Sequence, residues 1–260
     1  MMEAVKQSET KMNSIAVMQP TFVPWLGYFA LIAQVDYFVF LDDVQYSKQS
    51  WQSRNQISGP NGPMLISLPI ARKPSFQMIN KTFLANINIT EELMPRIKAC
   101  LGKAPYWDLV EHLLTKGFAR SIDGLSALNI GLIVDLCTIL KLGKTFHRTS
   151  DLNIITTEKT ERLLAIAQRF GVKTYLSPVG SAAYLRVWHP FTETATRLRF
   201  LEFVHPEYRQ RWQPFRSHMS VIDALAWEGP EATRAIIMKG IGNPRRLEEL
   251  QVDIIDKSST

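Results

Sequence analysis

Residues 14–43, SIAVMQPTFVPWLGYFALIAQVDYFVFLDD, decide the reading of the fold. A short β-rich run from Ser14 is stopped at Pro20, as a strand is by proline. Pro24 then stands where proline is favoured, at the first position of a helix, and apolar residues continue to Val35. Asp36 to Asp43 reads as a second strand, aromatic and apolar, ending in two carboxylates. Strand, helix and strand within about thirty residues form a βαβ unit with a right-handed parallel crossover. Parallel strands place ligands at their carboxyl ends. Gln19 after the first strand, and Asp42, Asp43, Gln45 and Tyr46 after the second, are therefore candidate contacts.

Working outward, Gly59-Pro60-Asn61-Gly62 marks a hairpin between two β-prone runs, and Thr82–Thr90 (TFLANINIT) reads as a further short strand. From Glu91 the periodicity is helical in three pieces, broken near Pro105 and Asp123-Gly124 and ended by Gly143. The α/β rhythm then returns: a strand at Thr145–Leu152, a helix over 156–171, a strand at Val172–Pro178, a strand at Arg197–Pro206 and a helix from Ser220. This predicts an α/β fold, a Rossmann-like and mainly parallel sheet with a helical lobe. The expected divisions are a disordered leader at 1–13, an α/β domain at 14–90 and 144–240, the lobe at 91–143 and a C-terminal tail at 241–260.

Composition limits the function classes. Of 260 residues 46% are hydrophobic and 21% charged, as in ordinary globular proteins. No apolar run reaches the roughly 18–20 residues that span a bilayer, and the polar start has no signal-peptide core. Cys100 and Cys137 sit in apolar helical patterns, as reduced core thiols do, with no metal-ligand spacing around either, which together with the rest predicts a cytoplasmic protein. The net charge of +6 suits a nucleotide or nucleotide-sugar, but Lys and Arg are scattered and form no stripe for nucleic acid.

Two loops carry the chemistry-bearing residues. In DDVQYSKQSWQSRN, Asp42 and Asp43 could hold a metal, act as a base or grip a sugar hydroxyl, or simply cap a turn. Trp51, Arg54 and Asn55 beside them suit a polyhydroxylated or nucleotide ligand, because rings stack while forked side chains bind bidentately. In YLSPVGSAAYL, a strand runs through Ser177 into Gly180-Ser181 and a helix start near Tyr184. Amides there make an anion site or an ordinary capped turn. Of five histidines, His205 in VHPEYRQRWQPF is the acid/base candidate. No motif for a covalent nucleophile appears.

Taken together, MQPTFVPWLGYF, FLDDVQYSKQSWQSRNQI with GPNG, YLSPVGSAAYL and HPEYRQRWQPFRSHMSVIDALAWEGPEA resemble the WbqC-like family, in order, from about Ser14 to Ala232. The segment RVWHPFTETATRLRF departs from the usual family stretch. The resemblance implies a role in bacterial surface-polysaccharide (O-antigen) gene clusters through modification of sugar precursors. A transferase adding an acyl or aminoacyl group to an amino-sugar precursor would use Asp43 or His205 to take the proton. Gln19, Tyr28, Asp42, Gln45, Tyr46, Trp51, Arg54, Asn55, Ser177, Gly180, Ser181 and Tyr184 would contact substrate, and the donor and any cofactor are left unknown. The rival is a non-catalytic binding or scaffold subunit among other polysaccharide-assembly proteins. The order Pro-Thr, a glycine opening a helix, then an Asp-led strand is also similar to the nucleotidylyltransferase superfamily, pantothenate synthetase above all. Trp25 and Tyr28 stand where that superfamily has histidines. All these loops are expected to line one pocket.

Overall fold

The computed structural model describes residues 13–71, 76–156, 158–182 and 190–250. Five parallel strands form the central sheet: β1 (Ser14–Met18), β2 (Tyr37–Phe40), β5 (Thr145–Arg148), β6 (Thr174–Pro178) and β7 (Arg197–Leu201), in the order β5-β2-β1-β6-β7. Counting only these strands, the order is 3-2-1-4-5, the doubly wound arrangement in which the winding reverses beside the first strand. Register aligns the carboxyl ends: Met18 pairs with Phe40, Phe40 with Arg148, and Pro178 with Leu201.

Helix α1 (Leu26–Ala33) makes the β1–β2 crossover, with six of its eight residues buried. The alternation of strand side chains splits the core in two. Ala16, Phe38, Phe40, Leu176 and Leu201 face α1, and Ile15, Val17, Val39, Tyr175 and Phe200 face α5 (Lys159–Arg169). Helices α2 (Ile89–Leu101), α3 (Trp107–Phe118) and α4 (Leu125–Ile139) share the apolar cluster on the α1 side, together with α6 (Val221–Gly240). Asn88 caps α2 by accepting from the Glu91 amide at 3.3 Å. Helix α6 kinks at Gly229-Pro230, where Gly229 has φ +76° and the Tyr106 ring fills the space a Cβ would need.

The expected hairpin is formed by β3 (Arg54–Gly59) and β4 (Gly62–Ser67), antiparallel with Gly59 opposite Gly62. Three expectations change. Thr82–Thr90 is not a strand: it carries a single bridge, Leu84 to Ile70, because its neighbours are a 3-10 turn and the start of α2. Residues 149–151 leave β5 as a 3-10 turn. Residues 241–245, expected as tail, run antiparallel along β7 through bridges Phe203–Ile241 and Phe200–Arg245. Among the described residues, no helix is long and apolar enough to cross a membrane.

Candidate functional site

The reversal in strand order lies between β1 and β6, so the loops leaving these strands diverge and open a crevice at their carboxyl ends. A cavity of about 180 Å3 occupies that crevice, between Trp25, Gly27 and Leu31 on one side and Pro178, Val179, Gly180, Leu201, Glu202 and Phe203 on the other. Gly27 keeps the first turn of α1 low. A Cβ there would stand 2.2 Å from Trp25 Cη2, so the chain's own indole takes the close approach that the sequence suggested for a ligand. Among the described residues, nothing lies within 4 Å of a Cβ placed on Gly180, which lines the cavity. Glu202 supplies a carboxylate held by Arg245 at 2.9 Å.

Behind this wall lies His205. Its ring stacks on Trp25 (6.1 Å) and meets Phe203 (5.7 Å), Tyr208, Phe215 and His218 (5.4 Å). Burial lowers its pKa from the usual 6.5, and the nearby His218 lowers it further against the opposing Pro206 carbonyl contact. Its Nε2 is buried and has no hydrogen-bond partner among the described residues. A neutral imidazole in an apolar cage is the form that accepts a proton.

The carboxylates occupy a separate network at the ends of β2 and β5. Asp42 accepts from the Ser150 amide (3.0 Å), the Ser150 hydroxyl (2.9 Å) and Thr149 (3.3 Å). Asp43 accepts from Thr149 and pairs with Arg162 of α5 at 2.5 Å. Both carboxylates are spent on protein groups. Ser177, two residues after Tyr175, faces α5 as Asp43 does, and its hydroxyl meets that of Ser181 at 2.6 Å. The Ser181 hydroxyl also donates to the Pro178 carbonyl at 2.7 Å, closing the turn on itself.

Another group of expected contacts braces the β1 loop on the α1 side. Gln52 donates to Gln19 at 2.8 Å, and Asn129 of α4 donates to the carbonyls of Pro20 (3.1 Å) and Gln52 (2.7 Å). Asn55 donates to the carbonyls of Phe22 and Val23, at 2.9 Å each. Tyr28 is buried and donates to the Gln19 carbonyl at 3.1 Å, and burial holds its pKa well above 10. The Tyr46 and Ser53 hydroxyls meet at 2.8 Å, exposed Gln45 bridges to Met78, and the Arg54 guanidinium lies 6.0 Å from the Trp51 ring centroid. Tyr184 lies outside the described residues.

The expectation of one shared pocket therefore needs revision. The loops after the parallel strands reach the same sheet edge, but of the expected contacts among the described residues Gly180 alone lines the crevice. Sequence reading missed Arg162, Thr149, Ser150 and Glu202. The last three also follow parallel strands, so the rule that selected Gln19 and Asp43 selects them once strand ends are placed correctly. Arg162 lies mid-helix and had no sequence signal.

Comparison with known proteins adds the following. The WbqC-like protein family matches residues 19–235. The uncharacterized protein Rv1507c of Mycobacterium tuberculosis is 29% identical over 226 residues, covering 85% of this chain and 96% of the relative. No solved structure matches the chain.

Proposed function

Because the chain belongs to the WbqC-like protein family, we propose that it is a cytoplasmic transferase that adds an acyl or aminoacyl group to a nucleotide-linked amino-sugar precursor in bacterial surface-polysaccharide biosynthesis. The observation that carries this reading is the crevice at the strand-order reversal, the place where doubly wound sheets take nucleotides. The nucleotide is held by the open turn at Val179 and Gly180, and the sugar extends toward Gln19 and the Trp51–Arg54 pair. His205, kept neutral by burial, accepts the proton of the attacking amine. Asp43 is the weaker candidate for that role because Arg162 already neutralises it.

Thermal denaturation against a panel of nucleotides and nucleotide-sugars tests the reading. A ligand at a hundred times its dissociation constant adds about 2.7 kcal/mol of stability, and a panel in which none moves the midpoint overturns it. One observation favours a second reading, a binding or scaffold subunit among polysaccharide-assembly proteins: the Trp25 indole already covers the first turn of α1. Ligand-induced stabilisation with no turnover of an amino-sugar acceptor would select that reading.

A further inference from the structure

A larger cavity, of about 590 Å3, lies at the opposite end of β7 from the crevice, lined in part by Thr196, Arg197, Leu198, Arg199, Arg246 and Glu248. Arg197 begins β7 and Leu201, which lines the crevice, ends it. Four steps at about 3.3 Å place these two residues about 13 Å apart.

We propose that this cavity is a second ligand site, for a phosphate-bearing small molecule of nucleotide size. Among the described side chains, three guanidinium groups line it against one carboxylate, Glu248. The ion pairs among the described residues involve none of the three arginines. Arg199 donates one N–H to the Leu198 carbonyl at 2.9 Å, which fixes its fork beside the strand and leaves its other N–H groups for a ligand. Arginine forks match phosphate oxygens bidentately, which makes them suited to phosphate rather than to a neutral sugar.

The strand edge adds a donor. The Arg197 amide donates inward to Lys173 (2.8 Å) and the Phe200 amide donates outward to Arg245 (2.8 Å). Successive amides of a strand alternate in direction, so the Leu198 N–H points outward, as that of Phe200 does. The segment that covers this edge pairs at Phe203 and Phe200, and residues 247–249 continue as a 3-10 helix whose Leu247 and Glu248 line the cavity beside the arginines. Among the described residues no bridge from this segment reaches Leu198. A volume between about 300 and 1,000 Å3 is the usual range for small-molecule sites.

Calorimetric titration of inorganic pyrophosphate into the full chain tests the proposal through four variants. The double variant Arg197→Gln/Arg199→Gln should bind at least about tenfold more weakly at an unchanged melting midpoint, since it removes two charged forks that make no ion pair. Glu248→Gln should bind about threefold more tightly, because it removes the opposing charge. Gly180→Leu, which fills the other cavity, should leave pyrophosphate affinity unchanged. If the double variant fails to fold, Arg246→Gln at an exposed position decides instead, with an expected loss of about threefold. No binding by the unaltered chain, unchanged affinity in the arginine variants, or loss of affinity in Gly180→Leu would each overturn the second site. The crevice reading is tested separately, by the nucleotide-sugar shifts.

Discussion

Beyond β2 and β5, at one side of the sheet's carboxyl edge, Asp42, Asp43, Thr149, Ser150 and Arg162 form a network in which both carboxylates are held by protein donors. Beyond β1 and β6, at the reversal, a cavity is walled by apolar and aromatic groups and one carboxylate, and a neutral histidine stands behind it. Both regions sit at strand ends where a ligand could bind. The difference teaches that a concentration of polar residues is not itself a site. Where adjacent strands continue side by side, their loops meet and their polar groups pair. Where the winding reverses, the loops part and leave space.

The largest effect tests the closed side of that contrast. Asp42 is 1% exposed, and Asp42→Ala strands the Ser150 amide and hydroxyl and should cost about 3 kcal/mol in chemical denaturation. A loss below about 0.5 kcal/mol would show that the network is not what holds this edge together. Next comes the open side. Gly180→Leu projects into free space, so stability should move by less than about 0.5 kcal/mol, while the stabilisation by a nucleotide ligand, up to about 2.7 kcal/mol, disappears. A shift retained at full size would place the ligand elsewhere.

The third expectation concerns pH. His205 has a folded pKa below its unfolded value, so below 6.5 the unfolded chain binds the extra proton. Its contribution is therefore complete above that value and is lost as pH falls. Asp223 has the opposite sign: burial raises its carboxyl above 3.8, so its contribution declines as pH rises past that point. Comparing His205→Phe with the unaltered chain isolates the histidine, and a flatter stability profile between pH 7 and pH 5 is expected. Identical profiles would mean that His205 is not held neutral. The smallest stability effect belongs to Trp51, which is 52% exposed. Trp51→Ala should change stability by less than about 0.5 kcal/mol yet weaken nucleotide-sugar binding by about 1 kcal/mol if the ring is the sugar platform. Unchanged affinity would confine the ligand to the crevice.

Much of the frame was legible in the chain. Val17 and Phe38 show why the first strands could be read: local β-branched and aromatic runs, stopped by Pro20 and separated by a helix that begins at Leu26, two residues later than Pro24 suggested, are governed by neighbouring residues. The same locality explains the hairpin at Gly59–Gly62 and the three helical pieces before Gly143. Thr82–Thr90 failed because its alternation suits a strand, but a strand needs a partner ladder, and among the described residues it finds one bridge, at Ile70, with hydrogen bonds to its neighbours Pro69 and Ala71. The use of individual polar side chains lay further out of reach. Asn55 looked like a ligand contact and is a buried tie to Phe22 and Val23, and Ser177 looked like an anion handle and is bonded to Ser181. A residue type states what bonds it can make but not with whom: the partner of Ser177 lies in the same turn, and those of Asn55 lie more than thirty residues away. By itself the sequence determined the parallel α/β frame and the edge at which its loops gather, because both follow from local periodicity and the handedness of the crossover. Only the tertiary structure decided which loops close on themselves and which part to leave a cavity, because that depends on strand order and on distant groups such as Arg162 and Asn129 meeting the loop ends.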